Sequence, residues 1–216
     1  NYFYPGKENV IAVRVYDSRL IGGIVGGDIS LMVLQSLDLE LNLEGYWKFT
    51  IGDNDIWKNS DFDDSDWTNI QVPAHWEVQG FPDYDGFGWY RKKFVLDDKL
   101  EGENLILILG KIDDIYQCYL NGEMIGITGD FELSPKTNKF GGEYNELRGY
   151  NIPKKLLKFN EENSISIRVY DGSIGGGIYQ GPVGIITQEE YKITQGTVAG
   201  KFAANTIDWD ELINFG

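Results

Sequence analysis

Glu8-Asn9-Val10-Ile11-Ala12-Val13-Arg14-Val15-Tyr16-Asp17 returns 154 positions later as Glu162-Asn163-Ser164-Ile165-Ser166-Ile167-Arg168-Val169-Tyr170-Asp171. The match runs on without a gap, placing Gly22-Gly23-Ile24 on Gly176-Gly177-Ile178 and Gly27 on Gly181. The lead-in agrees in pattern as well, Tyr2-Phe3-Tyr4-Pro5 against Tyr150-Asn151-Ile152-Pro153. Such a repeat limits the folds open to the chain, because an offset this long is about one domain. Residues 1–37 then read as the last strands of one copy, and 38–187 as a complete later copy. The polar, weakly patterned stretch 188–216 reads as a linker or docked extension. A chain that begins near the end of a repeat, at Asn1 and without Met, is expected to be a piece of something longer, with a leader or preceding domain removed.

The complete copy is dense in strand signals. Leu39-Glu40-Leu41-Asn42-Leu43 alternates apolar and polar residues, as a half-buried strand must, and Gly45-Tyr46-Trp47-Lys48-Phe49 does the same with aromatics. Trp89–Val95, Asn104–Leu109 and Ser164–Tyr170 are further strands. Asn121-Gly122 between apolar runs supplies the two positive-φ residues of a type I′ hairpin. Helical patterning is confined to a single turn at Pro153–Leu157. Thirteen Tyr, eleven Phe and six Trp, with 27 Gly and only six Pro, suit strands and turns better than a helical bundle. The expected fold class is all-β.

A formal charge of −15 repels phosphate backbones and anionic lipid, so nucleic acid is not an expected partner. No apolar run approaches the length of a membrane-spanning helix, and no membrane insertion is expected. Cys118 is alone, so no disulfide forms within the chain. The catalytic elements of common hydrolases are missing. There is no Gly-x-Ser-x-Gly turn for a nucleophile, and His75 is the single histidine, read as structural between Pro73 and Trp76. Asp113 and Asp114, as neighbours on a strand, are expected to point to opposite faces and not to act as a pair. The chain is therefore read as not an enzyme.

Asp61-Phe62-Asp63-Asp64-Ser65-Asp66 begins like a calcium loop but has Asp66 where that loop needs Gly and Val72 where it needs Glu. It is read as a solvated turn leading into Trp67. No cofactor is expected. A structural Ca²⁺ elsewhere is compatible with the fold class, but no spacing identifies its ligands.

Four stretches resemble the sugar-binding jelly roll of family 2 glycoside hydrolases. They are Leu43–Phe49, Asp61–Trp67, Val72-Pro73-Ala74-His75-Trp76-Glu77 and Tyr84-Asp85-Gly86-Phe87-Gly88-Trp89-Tyr90-Arg91-Lys92-Lys93-Phe94. The second half is similar to the jelly-roll module of sialate O-acetylesterases. That half holds Leu109–Asp114, Leu120-Asn121-Gly122, Tyr150–Pro153 and Arg168–Asp171 with its Gly-Gly-Ile loop. The resemblance implies a β-sandwich jelly roll of the galactose-binding-domain-like type, a carbohydrate partner, adjacent domains in a longer parent protein and an extracytoplasmic location, and it places the catalytic pair in another domain. The expectation is a non-catalytic carbohydrate-binding or accessory module, and the alternative is a purely structural sandwich that touches no sugar.

A sugar needs aromatic faces and planar polar groups that bridge neighbouring hydroxyls. The candidates are Trp76, Tyr84, Phe87 and Trp89 in or beside a Gly/Pro/Asp-rich loop, with Asp85, Asp113, Asp114, Arg148 and Asp171 as the polar partners. Each has a plainer reading: Trp89 heads a strand and could be core, as Trp47 and Trp67 are expected to be, and Arg148 could pair internally. The Gly175-Gly176-Gly177 run is explained by close approach alone. Recurrence of Arg14 and Asp17 as Arg168 and Asp171 is read as a shared structural ion pair.

Overall fold

The computed structural model describes residues 10, 12, 37–137 and 149–192. The chain divides into two compact units, Asn1–Ser36 and Leu37–Gly216, and all described strands belong to the second. The earlier repeat copy thus lies outside the described residues apart from Val10, Ala12 and Leu37, as do Arg148 and everything past residue 192.

Among the described residues ten strands form two sheets. They are β1 (Leu41–Asn42), β2 (Gly45–Ile51), β3 (Thr68–Val72), β4 (Gly86–Val95), β5 (Leu105–Asp113), β6 (Ile115–Leu120), β7 (Glu123–Thr128), β8 (Gly149–Asn151), β9 (Glu162–Asp171) and β10 (Gly177–Thr187). One sheet runs β1-β10-β5-β8 and the other β3-β2-β4-β9-β6-β7, with every ladder antiparallel. This is the expected all-β sandwich. Between the sheets, Trp47, Phe49, Tyr90 and Phe94 from one layer meet Leu105, Leu107, Leu109, Val183 and Ile185 from the other, all buried. The alternation read from the sequence is what delivers these residues to one face.

The β6–β7 hairpin turns at Asn121 (φ 49°) and Gly122 (φ 88°), as its sequence requires. Asn121 is also an anchor. Its side chain donates to the Leu156 carbonyl (2.7 Å) and to Asn163 Oδ1 (2.9 Å), and it accepts from the Ser164 amide (2.9 Å). Asn163, fully buried, donates to the Lys158 carbonyl (2.6 Å) and so fixes the start of β9. The expected helical turn is a 3-10 turn, Lys154–Leu156, directly after Pro153.

β10 is central to its sheet, yet Gly177, Gly181, Pro182 and Gly184 interrupt its apolar pattern. Its register slips between Ile178 and Val183, and the bulge presses onto Gly110 (φ +64°), where a Cβ would lie 1.9 Å from the Gln180 carbonyl oxygen. The opposite face of the β10 sheet carries a smaller core of Ile106, Ile108 and Ile186, covered by Leu37, Leu39 and Tyr191. Tyr191 lies in a helical segment that begins at residue 188.

The outer face of the six-stranded sheet is covered by the β2–β3 connection. Trp57 meets Trp89 and Trp67 edge-on (6.0 and 5.3 Å between ring centroids), and Phe62 tilts against Trp67. Arg91, 1% exposed, fastens this connection from below. It donates to Asp64 Oδ2 (2.8 Å), to the carbonyl of Trp57 and to Ser166 Oγ (2.9 Å). Asp64 is therefore not part of a solvated turn as expected. Asp63 is, accepting from the Ser65 amide (3.0 Å) at an exposed position.

Candidate functional site

Five strand ends meet at one end of the sandwich. β4 begins at Gly86 opposite the last residue of β9, Asp171; β10 begins at Gly177 opposite the last residue of β5, Asp113; β6 begins just after Asp114. Asp85, Asp113, Asp114 and Asp171 are thus carried to the same place by ladder register alone. Glu77 joins them from the 3-10 turn Glu77–Gln79. The sequence reading missed Glu77, although it stands in the quoted Val72–Glu77 stretch, because no periodicity marks an acid in a turn.

The carboxyls interact strongly. The Asp113 and Asp114 side chains share a hydrogen bond, so they do not, as expected, point to opposite faces. Asp113 is pushed up to about 8, first by burial, then by the hydrogen bond and charge of Asp114, with Asp171 and Glu77 adding to it. Asp171, with no solvent exposure, is pushed up to about 7, first by burial, which the Ser173 amide opposes, and then by the charges of Asp114, Asp85 and Glu77. Asp114 accepts from the Gly172 amide (3.0 Å) and Glu77 from the Gly176 amide (2.8 Å). Asp171 Oδ1 accepts from Ser173 (3.2 Å), while Asp171 Oδ2 and Glu77 Oε2 are buried without a hydrogen-bond partner among the described residues. Asp113 and Asp171, raised in this way, keep their protons to higher pH than ordinary carboxyls, and a protonated carboxyl donates as well as accepts. Among the described residues no group of three or more His, Cys, Asp or Glu is arranged to hold a metal ion.

The aromatic candidates divide. Trp76 and Trp89 are fully buried and present no face to a ligand, which corrects the stacking role expected of them. Trp76 lies on Phe49, Tyr84 and Tyr90 and donates its indole N–H to the Tyr84 carbonyl (3.3 Å). Trp89 stacks on Tyr119 and donates to Asp53 Oδ1 (3.1 Å). Tyr84, half-buried, is tied to its own loop through the Phe87 carbonyl (2.9 Å). Phe87 is half-buried under the Arg168 guanidinium, 4.5 Å from its ring centroid, and edge-on to Tyr170 at 4.8 Å. Asp85 is exposed. The aromatic residue adjoining the carboxyls is Tyr170, whose hydroxyl is held above its ordinary range by burial and then by Asp171, Asp85 and Asp114.

Arg168 does not pair with Asp171. They lie an odd number of residues apart on β9 and face opposite sides, and Arg168 makes a two-pronged contact with Asp53 (2.7 and 2.5 Å) while donating to Gln117 Oε1 (2.9 Å). Asp53 lies in the β2–β3 connection, and nothing in its sequence surroundings announced it. The glycine run behaves as read, though what approaches is ring rather than backbone. A Cβ at Gly176 would lie 2.2 Å from the Trp76 indole, and one at Gly175 would lie 3.2 Å from His75, which stacks on Tyr179 (4.9 Å, 7°).

No family model matches the chain. It is 26% identical over 124 residues to a β-galactosidase of Vibrio cholerae, covering 44% of this chain and 12% of that protein. To β-galactosidase BoGH2A of Bacteroides ovatus it is 24% identical over 144 residues, covering 57% of this chain and 14% of that protein. Among solved structures, a β-glucuronidase of Bacteroides uniformis matches with a TM-score of 0.53 at 26% identity, over 64% of this chain and 16% of that one. The chain thus spans only 12 to 14% of the curated relatives it matches.

Proposed function

We propose that this chain is a non-catalytic accessory domain of a larger, extracytoplasmic glycoside hydrolase of family 2, and that its carboxyl-lined end faces carbohydrate. The observation that carries the sugar reading is the convergence of half-buried Asp113 and exposed Asp85 with the buried Asp114 and Asp171 at one end of the sandwich, beside Tyr170. Carboxyls poised between protonated and ionised forms suit hydroxyls, which both donate and accept. The similarity to β-galactosidases and a β-glucuronidase supports the parent class, and the small share of those proteins that is matched supports a domain outside the catalytic one.

A second reading, a structural sandwich that packs against a neighbouring domain, is favoured by Ile174 and Val78. They are 97% and 81% exposed and flank the contact of Gly175 with His75. Titration of the chain with galactose, glucose, sialic acid and short oligosaccharides, followed by NMR shift mapping, separates the two. Sugar binding at this end predicts saturable shifts at Asp85, Asp114 and Gly172–Gly177, weak, on the order of 0.1–10 mM, and abolished in a folded Asp171→Asn variant. Absence of shifts with every sugar at tens of millimolar favours the packing role.

A further inference from the structure

The segment Gly172–Gly176 joins β9 to β10 across the carboxyl-lined end and buries little apolar surface. Gly172, Gly175 and Gly176 have no side chain to pack, Ser173 is exposed and Ile174 is 97% exposed. Carboxyl groups hold the segment instead. The Gly172 amide donates to Asp114 Oδ2 (3.0 Å), the Ser173 amide to Asp171 Oδ1 (3.2 Å) and the Gly176 amide to Glu77 Oε1 (2.8 Å). Backbone bonds add to these, from the Gly175 amide to the Ser173 carbonyl (3.1 Å) and from the Trp76 amide to the Gly176 carbonyl (3.2 Å). Ile174, at the centre, has φ +78°, a conformation that a β-branched residue rarely adopts. A segment with so little buried surface and a strained centre opens at lower cost than the strands beside it.

The acids under the segment repel one another. Asp171 and Asp114 are buried. Asp171 feels the charges of Asp114, Asp85 and Glu77, and Asp113 those of Asp114, Asp171 and Glu77. Tyr170 stands beside them, Tyr90 responds to the Glu77 charge, and His75 lies against Gly175. Burial and these neighbours keep a proton on Asp171 up to about pH 7 and on Asp113 up to about pH 8. A protonated Asp171 still accepts from Ser173 and adds no charge. Once ionised it is a buried anion among acids, and lifting the segment lets water solvate it.

We propose that Gly172–Gly176 is a lid over Asp114 and Asp171, closed at mildly acid pH and lifted as Asp171 ionises. Lifting frees the two buried carboxyls for hydroxyls from outside. That use of the open state rests on the sugar reading proposed above, while the lid itself rests on its hydrogen bonds, its exposure and the backbone of Ile174. Trp76 reports on the lid, because a Cβ at Gly176 would lie 2.8 Å from the indole Nε1.

Hydrogen exchange of the full chain without sugar, followed by NMR at about pH 6 and pH 8.5, tests the lid. The groups read are the Gly172, Ser173 and Gly176 amides and the Trp76 indole N–H. They are expected to exchange at least about a hundredfold faster than the Ile167 amide in the middle of β9, which opens only with the whole domain. After allowance for the intrinsic rise of exchange with pH, their protection should fall on the order of tenfold between the two conditions. That factor follows from a carboxyl held at about 7 when closed and returned to its ordinary value when open. Asp171→Asn keeps an acceptor for Ser173 and cannot ionise, so it should cut the pH effect to less than about threefold. The proposal is overturned if these groups exchange no faster than Ile167, if their protection does not change with pH, or if the folded variant keeps the full pH effect. Sugar binding is read in a separate titration, so the lid and the sugar reading fail independently.

Discussion

Arg91→Met removes the buried cation that holds the β2–β3 connection to the sheet while keeping most of the side chain's volume. The variant leaves Asp64, 14% exposed, without its counter-ion at 2.8 Å, and it takes a donor from Ser166 Oγ and from the Trp57 carbonyl. Breaking a buried pair from one side costs about 3–5 kcal/mol, and the orphaned hydrogen-bond groups do not add to it in full because they belong to one network. With a urea dependence of roughly 2 kcal/mol per M, the unfolding midpoint should fall by about 2 M. Tryptophan fluorescence is the natural probe, since five of the six tryptophans (47, 57, 67, 76 and 89) lie within residues 38–187 and three of them beside Arg91 or its connection. The double variant Arg91→Met/Asp64→Leu has no unpaired charge and should recover more than half of the loss. A midpoint that falls by less than about 0.5 M in the single variant, or a double variant no better than the single one, would refute the claim that Arg91 anchors the connection.

The carboxyl cluster predicts an unusual pH dependence. Asp113 and Asp171 hold their protons more tightly folded than unfolded, so the folded chain binds more protons between about pH 4 and pH 8, and stability should fall as pH rises through that window. Urea midpoints at pH 5 and pH 8.5 measure it, and Asp171→Asn should flatten the trend and stabilise the chain at the higher pH. Gly176→Ala should cost roughly 1–3 kcal/mol by forcing a methyl into the Trp76 indole, read in the same urea titration. Residues 38–187 should unfold cooperatively alone, but a fragment of 37–192 should be more stable by roughly 1–3 kcal/mol, because only the longer one keeps Leu37 and Tyr191 over Ile106, Ile108 and Ile186.

What the sequence made legible was the part governed by period and turn chemistry. β1 and β2 followed from alternation, β4, β5 and β9 from strand-like apolar and aromatic runs, and β6, β7 and their turn from Asn121-Gly122 between apolar runs. β3, β8 and β10 did not. β8 is three residues long, and β10 carries glycines demanded by contacts from elsewhere: Gly181 faces the Glu44 carboxylate and Gly184 the Leu41 carbonyl, at 2.3 and 2.5 Å from a built Cβ. The polar part of the site was legible because Asp85, Asp113, Asp114 and Asp171 stand at strand ends that register brings together. The aromatic part was not. Loop position suggested exposure for Trp76 and Trp89, but each carries its own cover, Trp76 under Gly176 and Trp89 under Trp57 and Tyr119.

The repeated residues serve different ends in the later copy. Asn163, which recurs from Asn9, fixes the start of β9 through the Lys158 carbonyl and Asn121. Arg168, from Arg14, ties β9 to the β2–β3 connection through Asp53. Gly176 and Gly177, from Gly22 and Gly23, leave room for the Trp76 ring and the Tyr90 hydroxyl. Packing accounts for each of these. Asp171, from Asp17, is different. Its Oδ1 caps Ser173, a task Asn or Ser would perform without charge, while its Oδ2 is buried with no hydrogen-bond partner among the described residues and three further acids beside it. A fold gains nothing from such a group and is destabilised by it above the pH at which it ionises. That Asp recurs where packing does not ask for it is the reason to look for a ligand at this end of the sandwich first.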